Sequence, residues 1–457
     1  MSLLPSTERL LLARVARAQR DGRCPSLVAG VVRAGDGARG VDHRLDGARG
    51  VDHRLDGARG VDHRLDGARG VDHRLGGLVW HTGRGAVAEP TDDVQYRLGS
   101  ISKTVCAVTV LRLRDEGLLD LSDPLERHLP GTPLGDRTLT QLLSHTGGVT
   151  SESPGHWWER TPGGGLDLSA ADRVLPAGRR FHYSNLGFGL LGDVVARIRG
   201  RSWDAVARDE VLLPLGMRRT TPRPDGRAAQ GYAVHPWSDE VLVEPEHHAG
   251  AMAPAGQLWA TAADLGRLGA FLLGDGAEVL SAGTIEEMTL PAGVDFSGPN
   301  WTSYGLGVQV QKHEGRTLVG HGGSMPGFLA GLWADREEGT AALALANVTS
   351  GLDGGLPAAL LADLRTHEPT VVEAWRPAPS PVPAERARQA RPVVAVPGPG
   401  GRHLGGAGRL LRGRDPPPAG RLAEPRDLRV HPHAVRPGGP RAGRRRPRGL
   451  ARAVTFG

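Results

Sequence analysis

The chain opens on a mixed pattern. Leu3-Leu-Pro-Ser-Thr-Glu-Arg-Leu-Leu-Leu-Ala-Arg14 sets leucines beside an acid and arginines. That predicts an amphipathic helix capped by Ser6 or Thr7 and makes a poor secretory signal. Ser26-Leu-Val-Ala-Gly-Val-Val-Arg33 and Leu78-Val-Trp-His81 read as strands. Val105-Cys-Ala-Val-Thr-Val-Leu111 is apolar almost all round, so it is buried. Its β-branched residues suit a strand as well as a helix, and periodicity does not separate the two. Thr317-Leu-Val is a short apolar strand that runs into a polar, glycine-rich edge, Gly320-His-Gly-Gly-Ser-Met-Pro-Gly327.

Two regions break the pattern. Residues 36–75 are four copies of Asp-Gly-Ala-Arg-Gly-Val-Asp-His-Arg-Leu. Each copy has two large apolar residues, too few for a core. Its strand-like flanks predict a tandem expansion inside a β-hairpin turn, where loop length costs little entropy. The histidines at 43, 53, 63 and 73 recur only because every residue recurs, and no metal site is read from them. Residues 376–457 are rich in Pro, Gly and Arg, with Phe456 as the one aromatic, a composition that predicts disorder.

Charge follows the same division. Residues 385–457 hold 17 arginines against four acids, a net +13, while the whole chain carries +6. The rest therefore carries −7. A basic balance confined to the tail leaves open a nucleic-acid-binding arm there but does not characterise the body. Two cysteines, Cys24 and Cys106, exclude a disulfide scaffold. No apolar run approaches the ~20 residues of a membrane helix. With no signal segment read, the expected location is cytoplasmic.

Lysine is rare: only Lys103 and Lys312 occur. Lys103 stands three residues after Ser100. On a helix beginning at Ser100 the two side chains share a face. A buried ammonium crowded by donors can lose its proton and take one from a serine; a guanidinium cannot. This makes Ser100 a candidate nucleophile. Ser102 competes but points elsewhere on the helix. In Phe181-His-Tyr-Ser-Asn185, Tyr183 and Asn185 project together from an extended or turn segment. A phenol held partly ionised beside Lys103 can relay protons, and an asparagine amide can serve both a substrate carbonyl and the lysine.

Ser-x-x-Lys, Tyr-x-Asn and His-x-Gly, in this order, resemble the class C β-lactamase and D-Ala-D-Ala carboxypeptidase family with its esterase relatives. Leu142-Leu-Ser-His-Thr-Gly-Gly148, Pro214-Leu-Gly-Met217 and Ala255-Gly-Gln-Leu-Trp259 are similar to the same family. The resemblance implies an α+β fold: an antiparallel sheet flanked by helices plus a mostly helical lobe, with a disordered insert and tail. Its strands are expected near 26–34, 77–84, 305–312, 316–320, 328–334 and 340–347. The domain would comprise residues 1–35 and 76–375. The resemblance further implies that Ser100 is acylated, and that Lys103 and Tyr183 share its activation. Asn185 would orient the substrate amide, and His321, Gly322 and Gly323 would line the opposite wall. The N–H groups of Ser100 and Ser324 would form the oxyanion hole. No metal or organic cofactor is implied.

β-Lactamases of this class usually have lysine where His321 stands, so histidine is more like the peptidase and esterase members. The expected function is a serine hydrolase of small esters or amides. The alternatives are a β-lactamase or D,D-peptidase, and a non-catalytic protein binding nucleic acid through its Arg-rich tail. No membrane partner is expected, and oligomeric state is not read.

Overall fold

The computed structural model describes residues 3–35, 76–85, 93–154, 157–235, 237–238, 240–295 and 302–368. The chain divides into two units, Met1–Val371 and Val372–Gly457, and the second lies outside the described residues. The readings made for the repeat at 36–75 and the tail at 376–457 fall outside them too.

An eight-stranded sheet is built from β1 (Ser26–Arg33), β2 (Gly77–Gly85), β3 (Gly293–Asp295), β4 (Thr302–Tyr304), β5 (Gln309–His313), β6 (Arg316–Met325), β7 (Phe328–Asp335) and β8 (Thr340–Ala346). Its order is β2-β1-β8-β7-β6-β5-β4-β3, and every pair is antiparallel. The N-terminal hairpin joins the C-terminal strands through β1 and β8, with Leu27 opposite Ala346 and Arg33 opposite Thr340. Arg33 also faces Gly77, so residues 36–75 link the paired ends of β1 and β2.

The long helices are α1 (Pro5–Asp21), α2 (Ser102–Asp115), α3 (Asn185–Arg199), α4 (Ala262–Leu273), α5 (Ala282–Thr289) and α6 (Leu356–His367). Strand alternation sends Leu27, Ala29 and Val31 of β1 to one core, with Leu11 and Val15 of α1 and Leu360 and Leu364 of α6. Val28 and Val32 enter the other core, with Leu265 and Leu268 of α4 and the buried residues of α2 and α3. Each face of the sheet is thereby covered. Among the described residues no helix is long and apolar enough to cross a membrane.

Three expectations change. The first helix is not capped by Ser6 or Thr7. Its N-cap is Leu4, with no side-chain cap bond, and Pro5 takes the first turn, where a missing N–H costs nothing. Thr7 is left to donate to the His367 carbonyl (3.3 Å). Of the strand expected at 305–312 only the part within β5 forms; residues 305–308 are the turn that joins β4 to β5, and that turn docks on α2 through Thr104 Oγ1 donating to Gly307 O (2.9 Å). The strand expected to end at 320 runs to Met325, since its glycine-rich part keeps pairing with β7 as far as Met325 opposite Phe328. The ambiguous run 105–111 is helix, buried on all sides within α2.

Candidate active site

Ser100 sits on a single turn of 3₁₀ helix, Gly99–Ile101, that leads directly into α2. Lys103 follows one turn later, and its Nζ lies 3.1 Å from Ser100 Oγ. The amine is fully buried and donates to two further acceptors, Asn185 Oδ1 and the Ala255 carbonyl, each at 2.6 Å. It also lies 4.8 Å from the centre of the Tyr183 ring. Burial disfavours the ammonium and lowers the Lys103 pKa to about 7, although Glu152 and Glu159 pull the other way. Ser102 points away from this cluster, and its hydroxyl accepts from the Leu258 N–H (3.1 Å).

Tyr183 lies in an extended segment that ends at Ser184, the N-cap of α3. Ser184 Oγ accepts from Gly187 N (2.9 Å), so the helix starts with Asn185 as its first residue. The sequence reading placed Asn185 in an extended or turn segment. The cap serine was the available signal, but the glycine-rich first turns that follow it obscured the helix. The Tyr183 phenol is hydrogen-bonded to Ser100. Burial pushes its pKa up, with Glu152 and Glu159 adding to the effect and the Ser100 bond opposing it. The phenol thus keeps its proton, against the expectation of partial ionisation. The neighbouring amine is itself poor in charge and cannot hold a phenolate.

The opposite wall is the end of β6. Pairing with β5 stops at Gly320 opposite Gln309, so the edge from His321 onward has no neighbouring strand. Gly322 N–H donates to Gln309 Oε1 (3.0 Å). Two residues later, strand alternation aims the Ser324 N–H the same way, into the open edge. This edge lies close to the turn that carries Ser100. A Cβ on Gly323 would stand 1.9 Å from the Leu98 carbonyl oxygen, and one on Gly99 (φ +55°) 2.5 Å from Ser324 N. Gly322 and Gly323 are partly exposed and Ser324 is exposed. His321 is only 2% exposed and lies behind this surface. Its Nδ1–H donates to the Gly322 carbonyl, which fixes Nε2 as the acceptor of the Tyr304 hydroxyl (2.9 Å). Burial, assisted by Lys103, lowers His321 to about 3, so the ring is uncharged. The wall surface is therefore glycine backbone and Ser324, with the histidine as its backing.

Ser100, Lys103, Tyr183 and Asn185 are thus brought together, facing Gly322, Gly323 and Ser324. Sequence reasoning missed three contributors. Glu152 accepts from Asn185 Nδ2 (2.6 Å) and Trp158 Nε1 (2.7 Å), fixing which end of the asparagine amide meets Lys103. Glu159 is raised to about 7 by burial and by Glu152. The Ala255 carbonyl belongs to a stretch noted for family likeness, but no pattern marks a backbone acceptor. Among the described residues no three His, Cys, Asp or Glu side chains form a group able to hold a metal.

Comparisons with known proteins agree with this architecture. The sequence model of the Beta-lactamase family matches residues 13–366. "Penicillin-binding protein 4" of Amycolatopsis lactamdurans is 29% identical over 316 residues, covering 63% of this chain and 78% of the relative. "D-alanyl-D-alanine-carboxypeptidase/endopeptidase AmpH" of Escherichia coli K12 is 31% identical over 154 residues, covering 30% of this chain and 39% of the relative. The chain spans less than half the length of several curated relatives it matches, 43% and 39% in two cases. The octameric penicillin-binding protein homologue from Pyrococcus abyssi shares the fold, with a TM-score of 0.63 at 21% identity over 79% of this chain and 78% of that one. By the family match across most of its length, this chain belongs to the β-lactamase family of serine hydrolases, to which its relatives named penicillin-binding protein and D-alanyl-D-alanine-carboxypeptidase are similar.

Proposed function

We propose that this protein hydrolyses an ester or amide bond through an acyl-enzyme on Ser100. One observation carries the reading: a buried amine that holds its proton loosely lies 3.1 Å from a partly exposed serine hydroxyl. Neutral Lys103 takes the Ser100 proton as Oγ bonds to the substrate carbonyl carbon. The carbonyl oxygen becomes an oxyanion facing the N–H groups of Ser100 and Ser324. Ser100 N–H belongs to a first helical turn, where no intrahelical acceptor exists. One such donor contributes ~10²–10³ in rate. As the tetrahedral species collapses, Tyr183 gives its proton to the leaving group and regains one from the Lys103 ammonium. Water then attacks the acyl ester and gives a proton to Lys103; the bond from the acyl carbon to Ser100 Oγ breaks, that proton passes to Oγ, and the acid leaves.

The relatives' names favour β-lactams or D-Ala peptides as a second reading. The uncharged, buried His321 argues for acyl donors that lack a carboxylate, because it supplies no cation at that wall. Labelling with a fluorophosphonate and with a fluorescent penicillin, wild type beside Ser100→Ala, tests the nucleophile. Label should disappear from the alanine variant, and equal labelling of the two would sink the acyl-enzyme. Turnover of a short-chain nitrophenyl ester should exceed that of a chromogenic cephalosporin; the reverse order selects the second reading.

A further inference from the structure

His145 has a backbone that only a few residue types adopt readily. Its φ is +57°, in the left-handed region, and it is one of three non-glycine residues there among those described. It is 2% exposed and lies in Leu142-Leu-Ser-His-Thr-Gly-Gly148, a stretch to which the reaction above gives no task. The strained turn is repaid by three contacts to three consecutive residues. The His145 carbonyl accepts from His182 N–H (2.8 Å). Its ring stacks on the ring of Tyr183, with centroids 4.2 Å apart and planes at 36°. Its Nδ1 accepts from Ser184 N–H (3.1 Å).

The last contact settles the tautomer. An N–H pointing at Nδ1 leaves the ring proton on Nε2. That nitrogen is buried with no hydrogen-bond partner among the described residues. The ring lies within an aromatic box of Phe181, Tyr183, Phe188 and Tyr304, whose centres are 4.2–5.7 Å from its own. Burial, with Lys103 and His321 adding to it, holds the imidazole well below its usual pKa and thus neutral. A charged ring there would also oppose Lys103.

From this clamp we infer that His145 is a positioning residue for Tyr183: it fixes the backbone on both sides of the tyrosine and the tilt of its ring, and so sets where the phenol meets Ser100. The inference rests on the acyl-enzyme reading and adds a residue that touches neither nucleophile nor substrate. It also explains the left-handed turn. Only a side chain that doubles back from such a backbone here places one face on Tyr183 and one nitrogen on Ser184.

The test is a double-mutant cycle in the full chain, read with a nitrophenyl ester. Asn at 145 tolerates the left-handed backbone and can keep an acceptor at the Nδ1 position while removing the ring. His145→Asn should lower kcat by about 10–100-fold with KM changed less than about twofold. In a Tyr183→Phe background the same substitution should cost less than about twofold, because its route of action is already gone. An equal penalty in both backgrounds would overturn the inference, since a merely structural effect adds. His145→Gly, which also suits the backbone, should be worse than His145→Asn, and equal losses would deny the Ser184 bond a role. A readout independent of folding variants is nitrogen NMR of the histidine rings in the unmodified protein. The His145 ring should stay in the Nε2–H form from pH 5 to pH 8. Titration within that range would refute the clamp as drawn. Activity retained in Ser100→Ala would instead strike the functional reading and leave the clamp geometry standing.

Discussion

The two walls of the cleft are built on opposite principles. The helical wall concentrates side chains: a buried lysine, an asparagine and a phenol converge on one serine, with Glu152 behind the asparagine. The strand wall removes them. It offers backbone N–H groups and glycines, and the one ring at its start, His321, is turned inward to Tyr304. Proton transfer requires groups whose identity sets a pKa, and those need packing to hold them. Oxyanion stabilisation requires donors that do not titrate, and a strand edge supplies these wherever the opposite chain can come close.

The largest effect is expected from breaking the helical wall. Lys103→Arg keeps a cation but removes the titration, and the larger guanidinium must enter a fully buried site. Ester turnover should fall by ~10⁴ or more. Retention of a tenth of the activity would show that Lys103 is not the base. Next comes the strand wall. Gly323→Ala puts a methyl 1.9 Å from a backbone oxygen, so the edge must retreat from Ser100. Because a shift of about 1 Å costs ~10² in rate, kcat/KM should drop about 100-fold while label still attaches to Ser100 slowly. An undiminished rate would place the oxyanion donors elsewhere.

The smallest effect sharpens the helical wall alone. The neutral amine is the active form, so kcat/KM should be low in acid and rise through about pH 7 as Lys103 loses its proton. Glu152 favours the ammonium, hence Glu152→Gln should move that midpoint to lower pH. It should also cost a few-fold in kcat by freeing the Asn185 amide to turn. A midpoint displaced upward would show that Glu152 acts on some other group.

Much of this was legible in the sequence where the relevant physics is local. Ser100 and Lys103 meet because residues three apart share a helical face, which any helix over 100–103 guarantees. The β-branched apolar run in 26–33 announced a strand, and the fold buries both of its faces. Local signals also misled. Ser6 and Thr7 were good caps, but Pro5 started the helix earlier. His321 was read as a wall residue, and its partner Tyr304 became visible only once β4 lay two strands from β6.

By itself, then, the sequence determined that Lys103 would stand beside Ser100, since spacing along one element dictates that contact. The tertiary structure alone decided that the amine sheds its charge near neutral pH, that the phenol keeps its proton, and that His145 reaches across to Tyr183. Each of these depends on burial and on groups tens of residues apart, and no periodicity encodes which distant surfaces will exclude water from one another.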